Sequence, residues 1–193
     1  MYMYNLSFTS LINPQSFFDF DSYTRLMSEK SYVKYPWTLK ESVLARDVYT
    51  KNILDCTVCV ISDGQQALML HINPNTDEAK IFHKVEKYIE ERIDLNNPNL
   101  QGLLLGANKE TSSFTKSYDL FNKFEKFLNK MAIPYTALKG TKGETAVAYS
   151  SIKDEFVVTS SARLEAEKSK TPLDMLQEMF EYVKIASHDT LFN

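Results

Sequence analysis

The sequence predicts an α+β fold with a largely antiparallel β-sheet or β-sandwich core flanked by helices. One observation is a series of short β-branched, apolar stretches bounded by turn residues, which is typical of strands. The other is a pair of amphipathic helices, predicted over about 77–94 and 114–131, that separate these strands. The resulting order, ββαβαβββα, mixes hairpins with helical connections. At 193 residues, with 44% hydrophobic and 24% charged residues, the chain is expected to form a single domain.

The chain divides into three parts around this core. Residues 1–47 are predicted to be a helical and extended N-terminal extension, rich in aromatic residues and interpreted as core more than as a partner-binding surface. Short helices are predicted in it after Asn13-Pro14 and after Thr38, where Thr38 and Glu41 fit a capping box. Residues 48–159 hold the core, and residues 160–193 are predicted to be a linker and a C-terminal helix.

The strands of the core begin with a predicted hairpin. Ile53 to Ile61 and Gln65 to Ile72 are its two strands, with Asp63-Gly64 as a two-residue turn. The next strand is predicted from Leu100 to Ala107 and is apolar enough to be buried on both faces. The remaining strands are predicted at 135–138, 144–150 and 155–159. In the C-terminal helix, Thr171 is the predicted N-cap and Pro172 the first residue.

Composition and charge narrow the classes of function. A net charge of −3 gives no indication of nucleic-acid binding, and no apolar run approaches the roughly 18 residues of a membrane span. The start of the sequence lacks the pattern of a secretory signal peptide. We expect a cytoplasmic protein, or one delivered into a host cytosol by a dedicated secretion system. No cofactor, metal, nucleic acid or membrane is expected as a partner.

The stretch that contains both cysteines, Cys56 and Cys59, also contains His71. With a two-residue turn at Asp63-Gly64, Cys56 is expected directly opposite His71, on the same face of the hairpin. Cys59 is three residues further along the strand and is expected on the other face. A thiol beside an imidazole can act as a nucleophile.

Other interpretations of the two cysteines remain open. A redox pair needs both sulfurs on one side at a helix N-terminus, which a strand does not supply. A zinc site needs about four converging ligands, and the sequence has no second Cys-x-x-Cys. Two buried, inert cysteines are the commonest interpretation of the spacing alone. The position of His71, which needs a polar partner on its face, favours the Cys–His pair.

The order Thr50, Cys56, His71 resembles the catalytic Thr–Cys–His arrangement of CheD-type chemoreceptor glutamine deamidases. It is similar to that of cytotoxic necrotising factor and Burkholderia lethal factor-like toxins as well. His71-Ile72-Asn73-Pro74 resembles the CheD His followed closely by Pro, and Leu104-Leu105-Gly106-Ala107 its strand ending in Gly-Gly-Ala. The segment from Ile133 to Thr145 resembles its Gly-rich segment before the closing strands. The small residues that the family has before its cysteine are replaced here by Leu54-Asp55.

The resemblance implies a cysteine-dependent protein glutamine deamidase, with the side chain of a protein glutamine as its substrate. Cys56 would be the nucleophile and His71 the base, with Thr50 holding the imidazole. A β-strand threonine without a catalytic role is the plainer interpretation of Thr50. Asp55 is expected to point away from the thiol because neighbouring residues on a strand alternate. The length of the extension favours a secreted bacterial effector or toxin.

Two alternative functions remain. The first is a catalytically inactive fold of the same type that serves as a protein-binding module. The second is a different Cys–His enzyme, such as a protease or transglutaminase. The loop from Lys139 to Glu144 could cradle a phosphate, but it lacks the spacing of a P-loop and is interpreted as a turn. His83 and His188 are interpreted as surface or packing residues.

Overall fold

A computed structural model describes residues 11–12, 20, 23–25, 27, 32–33, 43–76, 78–108, 114–141 and 143–160. It confirms the α+β class, with two sheets rich in antiparallel pairs and helices beside them. The first residue of the predicted linker, Ser160, is the last residue of a strand, and the rest of the linker and the predicted C-terminal helix lie outside the described residues. The two predicted helix starts, after Asn13-Pro14 and after Thr38, also lie outside them.

The described elements include nine strands and two long helices. The strands are β1 (Leu11–Ile12), β2 (Val43–Ala45), β3 (Asp47–Ile53), β4 (Thr57–Ser62), β5 (Ala67–Ile72), β6 (Gln101–Gly106), β7 (Tyr135–Lys139), β8 (Thr145–Ser150) and β9 (Glu155–Ser160). The helices are α1 (Glu78–Arg92) and α2 (Phe114–Lys130). Both helices and the five strands from β5 to β9 were predicted to within two residues at each end.

The strands form two sheets that pack face to face. One sheet has the order β1-β9-β8-β3 and the other β2-β5-β4-β6-β7. Most pairs are antiparallel, whereas β1 with β9 and β6 with β7 are parallel. Asp154 joins the sheets, because its carboxylate accepts hydrogen bonds from Tyr149 in the first sheet and Gln101 in the second.

The hairpin of β4 and β5 differs from its predicted register. Ser62 pairs with Ala67 and Val58 with His71, so the loop has four residues, and the prediction that Cys56 lies opposite His71 is wrong. The cause is the side chain of Asp63, whose Oδ1 accepts hydrogen bonds from the amides of Gln65 and Gln66. Asp63 thereby closes a wider turn than the two-residue type that Asp-Gly suggests.

The predicted strand from Ile53 to Ile61 is also wrong at its start. The chain bends at Leu54 and Asp55, so that β3 ends at Ile53 and β4 begins at Thr57. Just before this bend β3 has a bulge between Thr50 and Ile53, where Asn52 has a φ of 58°. Asparagine tolerates this left-handed conformation better than most residues. The predicted strand therefore consists of the end of one strand, a corner and a second strand in the other sheet.

The core lies between the sheets and under the helices. Alternation on β4 and β5 divides their side chains between the facing sheet and the helical layer, and every residue of both strands is buried. Phe124 and Phe127 of α2 pack against Phe82 of α1. The aromatic N-terminal segment contributes to a smaller cluster, in which Phe20 packs against β8 and β9.

Candidate active site

Thr50 and His71 meet in the interface between the two sheets. Thr50 lies on β3 of one sheet and His71 on β5 of the other, and the Oγ1 of Thr50 is 2.8 Å from the Nδ1 of His71. Neither side chain has solvent exposure. A buried polar group must find a hydrogen-bond partner inside the protein, and these two side chains provide one for each other across a largely apolar interface.

A third group determines which way this hydrogen bond runs. The Oγ1 of Thr50 donates to the main-chain carbonyl of Val33 at 2.8 Å. A hydroxyl has one proton and a carbonyl can only accept, so the proton of Thr50 is used in the bond to Val33. His71 must then donate its Nδ1 proton to Thr50. This assigns the tautomer in which Nε2 is the basic nitrogen of the ring, as a general base requires.

Burial strongly affects the protonation of His71. It lowers the pKa of the imidazole from 6.5 to about 4, while the negative charge of Asp55 acts in the opposite direction. The ring is therefore neutral at physiological pH. A neutral imidazole can take a proton from a neighbouring group.

Cys56 precedes β4 and lies two residues before Val58, the residue that pairs with His71. Across an antiparallel pair, such a diagonal position is about 7–8 Å away between Cα atoms, with Cβ atoms somewhat closer. Cys56 is therefore a diagonal neighbour of His71, not its direct partner. Its side chain is 3% exposed, so the thiol lies just below the surface.

Asp55 lies beside the thiol, contrary to the prediction that alternation would turn it away. The Sγ of Cys56 is 3.8 Å from the Oδ1 of Asp55, because Asp55 lies on the bend and not on a regular strand. Burial, together with the charge and the hydrogen bond of Asp55, raises the pKa of the Cys56 thiol to about 12. In this state the thiol is protonated and His71 is neutral.

Gly106 brings the end of β6 against the nucleophile candidate. A Cβ at this position would lie 2.9 Å from the carbonyl oxygen of Cys56 and 3.2 Å from the Cα of Thr57. The φ of Gly106 is +148°, a value that residues with side chains rarely adopt. Its own carbonyl accepts the amide protons of Gly140 and Thr141. The glycine thus allows three chain segments to meet next to Cys56.

Changing Gly106 to alanine is expected to lower the free energy of unfolding by about 1.5 kcal/mol, because it introduces backbone strain and a clash. It should also change the alkylation rate of Cys56, since the Cβ pushes on the carbonyl of that residue. Gly64→Ala is the matched control. Gly64 has a φ of +83° and an equally close neighbour, Asn99, at 2.9 Å, but it lies at the loop end of the β4–β5 hairpin. Equal alkylation rates in the two variants would contradict a link between Gly106 and the thiol.

Of the other residues considered from the sequence, Cys59 and His83 are not part of this cluster. Cys59 is fully buried, with a thiol pKa raised by burial, and it faces away from His71 because it pairs with Leu70. His83 is exposed on α1. Lys139, the last residue of β7, forms an ion pair with Glu125 of α2 at 3.0 Å. His188 lies outside the described residues.

Sequence reasoning missed the contribution of Val33. Its backbone amide donates to the carbonyl of Tyr49, and Tyr32 bridges to Tyr49 in parallel, so this segment runs along the open edge of β3. A main-chain carbonyl has no sequence signature, since any residue supplies one. The pairing joins positions 17 residues apart, which local patterns do not reveal.

No protein-family model matches the sequence, and no curated protein matches it either. Among the described residues, no helix combines the length and apolar character needed to cross a membrane.

Proposed function

We propose that the protein is a cysteine-dependent glutamine deamidase that converts a glutamine side chain of a protein substrate to glutamate. The observation that carries the proposal is the hydrogen bond between Thr50 and His71. In it Thr50 is the acceptor, because the hydroxyl proton of Thr50 is donated to the main-chain carbonyl of Val33. It gives His71 the tautomer of a general base, in a site whose neighbouring nucleophile is Cys56. The order Thr50, Cys56, His71 along the chain is also that of the catalytic residues in the deamidases that the sequence resembles.

In the first half-reaction the Nε2 of His71 takes the thiol proton of Cys56 while the sulfur attacks the carboxamide carbon of the glutamine. The tetrahedral intermediate then collapses, and its carbon–nitrogen bond breaks. The imidazolium of His71 gives its proton to the departing nitrogen, which leaves as ammonia. A thioester between Cys56 and the substrate remains.

In the second half-reaction His71 activates a water molecule that attacks the thioester. The carbon–sulfur bond breaks, the glutamate is released, and the proton on His71 returns to the sulfur of Cys56. Water is consumed and ammonia produced, with no oxidant or cofactor. Throughout the cycle, Thr50 keeps the imidazole oriented through Nδ1.

The neutral resting pair determines how the first step proceeds. With the thiol pKa at about 12 and the imidazole pKa at about 4, a preformed thiolate–imidazolium pair is strongly disfavoured. Proton transfer is therefore expected to accompany attack on the substrate, as in serine hydrolases, and not to precede it.

Asp55 favours a second candidate function, a protein-binding module that has lost catalysis. A carboxylate 3.8 Å from the sulfur opposes the negative charge that develops during the attack. The resting chemistry of Cys56 would then be that of an inert buried thiol.

The test is ammonia release combined with intact-mass measurement on proteins of a cell lysate. Wild type, Cys56→Ser and Cys59→Ala are incubated separately, the last as a control for loss of the fully buried thiol. Release by wild type and Cys59→Ala but not by Cys56→Ser, with the mass gain of an amide-to-acid exchange on a lysate protein, would support deamidation. Attachment of an added primary amine would instead indicate transglutamination. Equal ammonia release and unchanged protein masses in all three would contradict the proposal and favour the binding module.

A further inference from the structure

The N-terminal segment that contains Val33 lies outside the part of the chain with a deamidase-like order of residues, yet it contacts the site. Val33 is fully buried and belongs to the main core. Its amide donates to the carbonyl of Tyr49 at 2.9 Å, and the rings of Tyr32 and Tyr49 are 5.1 Å apart. The segment is therefore attached to β3 by a main-chain hydrogen bond, a ring contact and buried apolar surface.

This attachment brings the carbonyl of Val33 to the hydroxyl of Thr50. Tyr49 and Thr50 are neighbours on β3, so the amide of Val33 engages the first while its carbonyl engages the second. In the sheet order β1-β9-β8-β3, β3 is the outermost strand.

We propose that the main-chain carbonyl of Val33 is a positioning group for His71. By accepting the only proton of the Thr50 hydroxyl, it makes Thr50 the acceptor of the Nδ1 proton of His71. If that carbonyl were weakened or withdrawn, Thr50 could turn and donate to Nδ1 instead, and the ring proton would move to Nε2. His71 would then present a donor where proton transfer needs a base. The catalytic consequence rests on the proposed function, whereas the tautomer itself does not.

Nitrogen NMR of histidine-labelled full-length protein tests the proposal directly. The sequence has three histidines, so His71→Asn assigns the signals of residue 71. In the wild type we expect a protonated Nδ1 and an unprotonated Nε2. A wild-type His71 that carries its proton on Nε2 at neutral pH would overturn the proposal without any variant.

The sharpest perturbation replaces Lys34 by its α-hydroxy acid analogue. This turns the carbonyl of Val33 from an amide into an ester carbonyl, which is a weaker acceptor, and leaves the Val33 side chain in place. Losing about one net hydrogen bond should shift the His71 tautomer ratio about fivefold toward the form protonated on Nε2. The signals of both ring nitrogens should move accordingly.

Val33→Ala is the matched control, because it removes buried side-chain atoms and keeps the carbonyl. It should destabilise the protein and leave the nitrogen signals of His71 unchanged. Identical signals in the ester protein and in Val33→Ala would overturn the proposal. A tautomer shift in a protein that releases no ammonia from any substrate would uphold the positioning role and count against the deamidase function.

Discussion

Acidification from pH 7 to about pH 4 is expected to lower the free energy of unfolding by about 3 kcal/mol through His71 alone. The imidazole has a pKa of about 4 in the folded protein, against an ordinary value of 6.5. As the pH falls, the unfolded chain therefore takes up this proton before the folded chain does. The stabilisation that comes from the lowered pKa of His71 is fully present above pH 6.5. It is lost progressively down to about pH 4, where His71 also becomes protonated in the folded protein.

Urea unfolding of wild type and His71→Asn at several pH values in this interval measures the effect. Asparagine cannot titrate but can still donate to Thr50, so the variant should lose less stability than the wild type by about 3 kcal/mol. His83→Asn, a change at an exposed histidine on α1, should follow the wild-type curve. Parallel curves for wild type and His71→Asn would show that the imidazole is not buried in its neutral form.

The sequence predicted the elements of the core because their patterns are local. The apolar stripe of α2 and the compact apolar run of β6 are each visible within one short window. The hairpin register was not predictable in the same way, because it depends on Asp63. Both an Asp-Gly turn and the four-residue loop seen here use that aspartate, and only the side-chain hydrogen bonds to Gln65 and Gln66 distinguish them.

The candidate site also has features that the sequence predicted and features that it did not. Thr50 and His71 were singled out from their order along the chain, and the structure brings them into contact across two sheets. The expectation for Asp55 was wrong because alternation applies to a regular strand, whereas Leu54 and Asp55 form a bend. Val33 was missed because its contribution is a main-chain atom delivered by pairing between distant segments. The pattern along the chain was therefore enough to name Thr50 and His71. The position of Asp55 and the contribution of Val33 depend on a bend and on pairing between distant segments, which the pattern does not reveal.

Changing Asp55 to asparagine is expected to make Cys56 considerably more reactive. Burial is the largest cause of the raised thiol pKa, but the other two, the charge of Asp55 and its hydrogen bond, both come from this one side chain. Each unit by which the pKa falls increases the thiolate fraction tenfold at a pH well below it. The intrinsic nucleophilicity of the sulfur decreases somewhat at the same time, so we expect iodoacetamide to react about three to ten times faster.

The alkylation rate is measured by mass spectrometry from about pH 7 to about pH 10, where the wild-type thiol, with its pKa at about 12, is still mostly protonated. The ratio of the rates of Asp55→Asn and wild type then reports the change in the thiolate fraction. Asp119→Asn, a change at an exposed residue on α2, controls for the loss of one negative charge. An unchanged rate in Asp55→Asn would mean that burial alone keeps the thiol protonated.

The same variant, Asp55→Asn, also separates the two candidate functions. If Asp55 is what prevents catalysis in a binding module, its removal should produce ammonia release that the wild type lacks. In a working deamidase, by contrast, the wild type already releases ammonia with Asp55 in place.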